Sequence, residues 1–503
     1  MIAVRGGPGG NVWAKRLTAA AYWTLPSLFC LLIYSRGLVS WFQQDDFSWL
    51  ALRMEWHGPG DLPFLLFGPR AQGTVRFLAD RSFFLLFSSL FGFNPLPYHA
   101  AVFATQAANL ALLSSVARRL TRSRAAGFIA PLLWVANDAL AVPLSWLSAY
   151  NQILCCFFIL LAFYFLLRYI EEGKPIFLCL QWGVFLLGFG ALEINVVYPA
   201  LATGYVLLCA REHLRKTLPL FIPSILFVAL HWFLIPKPAT GAYARYFDSG
   251  MMQTFGVYWQ WALGPGRLGL ITPVRSWFAP AGTALLTLAL LGFTVARLRK
   301  ADRVPVFALL WFLATLAPVM PLRDHIENYY LTLPSAGLAL LGAWAVVRAW
   351  NANWPARGTA LALTALYAAT SIPVGFIVAD WHLVHGRQAK NLVLSVAEAH
   401  EKHPGKTILL QGVDEELFWA AIFDNPFRLF GISQVHLAPG EAVPEQGGHW
   451  RSPSEFVYDP RTTVCDLRQG RAVVYEVMTV GLRDVTRDYY SAAIQRWGPC
   501  PAG

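Results

Sequence analysis

Eleven mostly apolar stretches decide what this chain can become. They run near residues 17–38, 98–117, 126–144, 150–168, 175–192, 194–210, 218–235, 279–297, 305–321, 329–347 and 358–378. A helix needs about 17–25 such residues to cross a bilayer, so each stretch is a candidate span. Composition agrees: 56% of the 503 residues are hydrophobic and only 14% charged, where soluble chains carry about 25% charged residues. The expected fold is a polytopic α-helical membrane protein of about 11 transmembrane helices.

Basic residues in short loops orient such a protein, because Lys and Arg concentrate on the cytoplasmic side. Lys15 and Arg16, then Arg118, Arg119, Arg122 and Arg124, then Arg211, Arg215 and Lys216, then Arg297, Arg299, Lys300 and Arg303 all fall on one side if the N-terminus is cytoplasmic. An odd number of spans then places the C-terminal part outside. Residues 1–378 hold 28 Lys+Arg against 14 Asp+Glu, whereas residues 379–503 hold 12 against 15. The basic excess belongs to the membrane part, so nucleic acid is not an expected partner. The tail, 379–503, reads as a separate extracytoplasmic α/β domain. "KTILLQGV" and "RAVVYEVMTV" are strand-like and "DEELFWAAIFD" is helical. Its only two thiols, Cys465 and Cys500, are a candidate disulfide in an oxidising compartment.

The long outer loops are 39–97 and 236–278, with a short one at 322–328. In the first, "RSFFLLFSSLFGFN" (81–94) predicts a helix lying in the membrane interface. "WFQQDDFSWL" (41–50) sets Asp45 and Asp46 among aromatic rings. Neighbouring residues point apart in helix or strand, so the two do not automatically form a dyad. Arg76, Asp80 and Arg81 share that loop, and His99 opens the second span. Tyr243 and Arg245 sit in "TGAYARYF", and Arg323, His325 and Tyr329 in "PLRDHIENYY". Each has a plainer reading, as a solvated or locally paired residue, a structural histidine or part of an interface belt of tyrosines. Glu193 stands apart, with apolar residues on both sides in "FGALEINVVYP". A carboxylate at bilayer depth costs about 2.5–3.5 kcal/mol on insertion scales, so it should face a cavity or a partner, unless it caps a helix. No Walker-type glycine loop is present, which argues against an ATP-driven pump.

Together these segments resemble GT-C-fold membrane glycosyltransferases, most of all bacterial relatives of protein O-mannosyltransferases and lipid A aminoarabinose transferases. The features are the acidic pair after the first span, "FGFNPLPYH", the isolated Glu193, the "GAY" loop and "APVMPLRDHIENYYLTLPSAG". The likeness covers roughly residues 15–380. It implies a sugar donor on polyprenyl phosphate, an extracytoplasmic acceptor and a bacterial cytoplasmic membrane. It implies Asp45 or Asp46 as catalytic base, or as ligands of a divalent cation if one is used. Arg76, Arg81, Arg323 or His325 would hold the phosphate, with Glu193, Tyr243, Arg245 and Tyr329 as further substrate-binding candidates. Many relatives have Arg-Pro in the first loop, whereas Phe77 follows Arg76 here. Residue chemistry leads the same way: nucleotide sugars stay in the cytoplasm, so an outward-facing transferase needs a lipid-borne donor. Its site should join a proton acceptor to cations that stabilise the departing phosphate. The alternatives are a transporter or flippase of lipid-linked glycans, or an inactive GT-C scaffold. A transporter would carry its charges near the midplane; here they gather at one face.

Overall fold

The computed structural model describes residues 10–70, 73–235, 241–441 and 453–500. Among the described residues, seven helices are long and apolar enough to cross a membrane: Arg16–Val39, Leu96–Thr121, Leu147–Glu172, Arg211–Phe233, Phe278–Leu298, Asn328–Trp350 and Trp354–Lys402. The bent pair Arg124–Val135 and Asp138–Ser145, 64° apart, makes an eighth if it is one span. Three shorter apolar helices, Pro175–Gly188, Glu193–Cys209 and Val304–Val319, occupy the remaining expected stretches. The positions agree with the sequence reading; among the described residues seven helices, or eight with the bent pair, are long and apolar enough to cross.

Between Val39 and Leu96 the chain folds as short pieces. The expected interfacial helix is Phe83–Phe91, far too short to span. It buries Phe83 and Phe84 against Tyr98, with ring centroids 5.7 and 6.1 Å away, and leaves Leu86, Leu90 and Phe91 exposed. One apolar face in protein and one outside it suits a helix lying in the interface.

The composition break at 378 does not end a helix. Trp354–Lys402 runs 49 residues through it, and only its first part is apolar enough for a bilayer. Beyond it lies a four-stranded sheet of order β2-β1-β3-β4. β1 (Thr407–Gln411) pairs in parallel with β2 (Val435–Leu437) and β3 (Ala472–Val477), and β4 (Leu482–Asp484) closes antiparallel to β3. β1 is apolar because helices cover the sheet, as parallel strands require. Cys465, on the helix Pro460–Arg468, is joined to Cys500 in a disulfide.

This domain rests on the first loop. Phe430 stacks on Phe93 at 5.0 Å, and Glu416 meets His385 of the long helix at 2.7 Å. A separate apolar cavity of about 370 Å³ lies among the spanning helices, walled by Leu263, Leu290, Gly342 and Leu363.

Candidate active site

The segment carrying the acidic pair is held from beneath by the long helix. The His382 carbonyl accepts from Ser40 Oγ (3.1 Å) and Gln43 Nε2 (3.2 Å). Gly386 lets the helix pass this close; a Cβ there would lie 2.9 Å from the Trp41 backbone. Trp41, Phe42, Phe47 and Trp49 are all buried, with Phe42 edge-on to Tyr98 at 5.2 Å. The rings that surround the carboxylates in sequence therefore anchor the loop to the helices.

Gln44 then turns the chain with φ 54°, a left-handed conformation that is uncommon for a residue with a Cβ. Its N–H donates to Ala420 O of the C-terminal domain at 2.9 Å. The turn sends the two carboxylates in different directions. Asp46 points inward: one oxygen accepts from Ser148 N (2.8 Å) and Ser148 Oγ (2.6 Å), the other from Gln43 N (3.1 Å). Burial raises its proton affinity to about 7, against the pull of those donors.

Asp45 points the other way, and among the described residues no donor reaches its carboxyl. Its side chain is exposed to solvent, although the protein atoms crowded around it are the chief cause raising its pKa to about 8. The charges of Asp424, Asp46 and Asp80 add to this, and Arg76 opposes it. Asp45 is thus solvent-exposed and stands in the electrostatic neighbourhood of Asp424, Asp46, Asp80 and Arg76.

Arg76 is the cation whose charge opposes that rise. Its Nε donates to both Glu193 oxygens at 3.1 and 3.0 Å, and Nη1 reaches Asp80 at 3.5 Å. Glu193 thus has a cationic partner 117 residues earlier in the chain. Asp80, raised to about 6 chiefly by burial, also accepts from Asn151 at 3.4 Å. Arg76 Nη2 has no protein acceptor among the described residues and is not sealed from solvent. Tyr243 lies within reach of Asp45, Arg76 and Glu193; burial first, then Asp45, push its phenol up to about 12. His325 packs on Tyr243 at 4.7 Å and lies 3.2 Å from the Tyr329 hydroxyl, and Tyr329 packs on Tyr330 at 4.7 Å.

The other sequence candidates lie elsewhere. Arg81 is fully buried and donates to the carbonyls of Leu65 (3.0 Å), Gly68 (2.6 Å) and Thr74 (2.8 Å). All its described bonds go to backbone, so it clamps the first loop. Arg323 is exposed, pairs with Asp248 at 2.8 Å and covers the Tyr246 ring at 3.7 Å. Arg245 is exposed and approaches His231 at 3.4 Å. Arg323 and His325, near neighbours in sequence, therefore have different surroundings. Three participants carried no sequence signal: Ser148, Asn151 and Asp424, which accepts from Ser48 Oγ at 2.6 Å.

A divalent cation held by both aspartates does not fit this arrangement. Asp46 gives its oxygens to three protein donors, and among the described residues no group of three or more His, Cys, Asp or Glu is placed to bind a metal. The chemistry considered below uses the side chains alone.

No protein-family model matches the chain, and no curated protein matches it. Its structure is similar to several solved ones, three of which are the following. The oligosaccharyltransferase of Archaeoglobus fulgidus in the apo form has 10% identity, covering 81% of this chain and 64% of that one, with a TM-score of 0.48. AglB from the same organism, in complex with an inhibitory peptide and a dolichol-phosphate, has 10% identity, covering 92% and 70%, with a TM-score of 0.47. ArnT from Cupriavidus metallidurans in the apo state has 12% identity, covering 95% of both chains, with a TM-score of 0.46. The chain spans 64% of the length of the first.

Proposed function

We propose that this chain is a membrane glycosyltransferase of the GT-C type. It moves a sugar from a polyprenyl-phosphate donor to an acceptor hydroxyl on the outer face of a bacterial cytoplasmic membrane, with its N-terminus inside and its sheet domain outside. One observation carries the reading: Asp45, whose carboxyl meets no donor among the described residues and whose pKa is raised to about 8, lies in the field of Arg76, whose Nη2 meets no acceptor among them.

Asp45 accepts the proton of the acceptor hydroxyl as its oxygen bonds to the anomeric carbon. A base works best with a pKa near the operating pH, which the crowded protein atoms give this carboxyl. The bond from the anomeric carbon to the phosphate oxygen breaks, and the electron pair leaves with the lipid phosphate. Arg76, held in place by Glu193 and Asp80, offers Nη2 to the charge that grows there. A single displacement of this kind inverts the anomeric centre. Tyr243, His325 and Tyr329 supply ring faces suited to a sugar.

The test is transfer itself. Purified protein in phospholipid vesicles is given polyprenyl-phosphate sugars and candidate acceptor glycans or lipids. Appearance of free polyprenyl phosphate with a matching glycosylated product is expected. A panel of donors left intact by folded protein would refute the reading.

A further inference from the structure

The C-terminal domain touches the acidic turn at two places on either side of Asp45. Gln44 N donates to Ala420 O at 2.9 Å, and Ser48 Oγ donates to Asp424 Oδ1 at 2.6 Å. The short helix Asp46–Leu50 and its preceding turn are thus bracketed by bonds to a domain more than 370 residues away in sequence. Gln44 sits at φ 54°, a conformation that persists only where surrounding structure holds it. The hold comes from Ala420, at the end of the helix Glu415–Ala421. That helix is fixed in turn by Glu416 on His385, and the stacking of Phe430 on Phe93 secures the other flank.

We propose that the C-terminal domain is a positioning part of the site. The bond from Ser48 to Asp424 is the latch that keeps the Asp45 turn in its reactive geometry. This deepens the transferase reading and rests on it for its catalytic consequence. Asp424 holds the turn through Ser48, and its charge also raises the Asp45 pKa. The order of the chain then has a reason. The long helix Trp354–Lys402 runs past the membrane part and past Ser40 and Gln43, delivering the sheet domain to the first loop. Release of the latch would let Gln44 relax and carry Asp45 away from Arg76. Displacement of a reacting group by about 1 Å can cost about 100-fold in rate.

Three variants of the full chain separate the possibilities. Ser48→Ala and Asp424→Ala remove the bond, whereas Asp424→Asn keeps an oxygen that can accept it. Hydrogen exchange of residues 43–49, followed by mass spectrometry, reads the turn without any need for activity. Ser48→Ala and Asp424→Ala should raise exchange there while β1 and β3 stay protected. In the transfer assay both should lower kcat by about 10- to 100-fold, with donor KM within about twofold of wild type. Asp424→Asn should restore protection and raise kcat above that of Asp424→Ala. Unchanged exchange at 43–49 in Ser48→Ala and Asp424→Ala overturns the latch. Raised exchange with unaltered kcat overturns its positioning role, and failure of Asp424→Asn to restore protection overturns the part assigned to the accepting oxygen. If wild-type protein transfers no sugar, the transferase reading falls, and the exchange measurement still decides the latch.

Discussion

Two adjacent aspartates have opposite tasks here. Asp46 satisfies two backbone N–H groups and one hydroxyl, all at a buried position. Removing a buried acceptor leaves its donors unpaired, at a cost of about 1–3 kcal/mol. Asp46→Ala should therefore unfold at clearly lower denaturant than wild type in detergent, whereas Asp45→Asn should unfold at no lower denaturant than wild type. Equal losses of stability in the two would contradict the division of roles. The sequence showed the pair and the reason it need not act as a dyad. It did not show which member is exposed, because that depends on Gln44 adopting a left-handed turn under a bond from residue 420. Glu193 was legible as a carboxylate in need of a partner, yet Arg76 lies 117 residues away and nothing local names it. Arg81 looked like a phosphate ligand for the same reason. A loop arginine reads identically whether it meets a ligand or three carbonyls.

At the level of elements, hydrophobic run length placed the helices well, since crossing a bilayer demands long apolar runs. The break in composition at 378 falls inside a helix, Trp354–Lys402. Hydropathy reports where an apolar run ends, and a helix can continue past that point. The strands at 407–411 and 472–477 were visible as short β-branched runs, but their parallel pairing and the docking of their domain on the first loop were not. The bridge between Cys465 and Cys500 ties the end of the chain to the helix Pro460–Arg468. Closing a loop of this sequence separation, 35 residues, stabilises by about 3–4 kcal/mol in the chain-entropy model. Labelling of the unfolded, unreduced protein should leave both tail thiols unmodified, and Cys465→Ser with Cys500→Ser should make the tail more sensitive to protease. Two reactive tail thiols would contradict the bridge.

At the scale of the whole molecule, the buried carboxyls of Asp46 and Asp80 with the neighbouring Asp45 tie stability to pH. Asp45, Asp46 and Asp80 have folded pKa values of about 8, 7 and 6, each above the ordinary aspartate value of about 4. The folded state therefore holds protons that the unfolded chain gives up. Their contribution to stability is complete below about pH 4 and is lost as pH rises through about 6 to 8. The melting temperature in detergent should fall between pH 6 and pH 8, less steeply in Asp45→Asn; a rise across that window would contradict the raised values. The same carboxyl is the proposed base, so the central claim reduces to one comparison. The initial rate of sugar transfer from a polyprenyl-phosphate donor is measured for wild type and Asp45→Asn, both folded and in vesicles. Loss of a general base predicts a rate lower by about 100- to 10,000-fold in Asp45→Asn; a rate within about threefold of wild type would contradict the account.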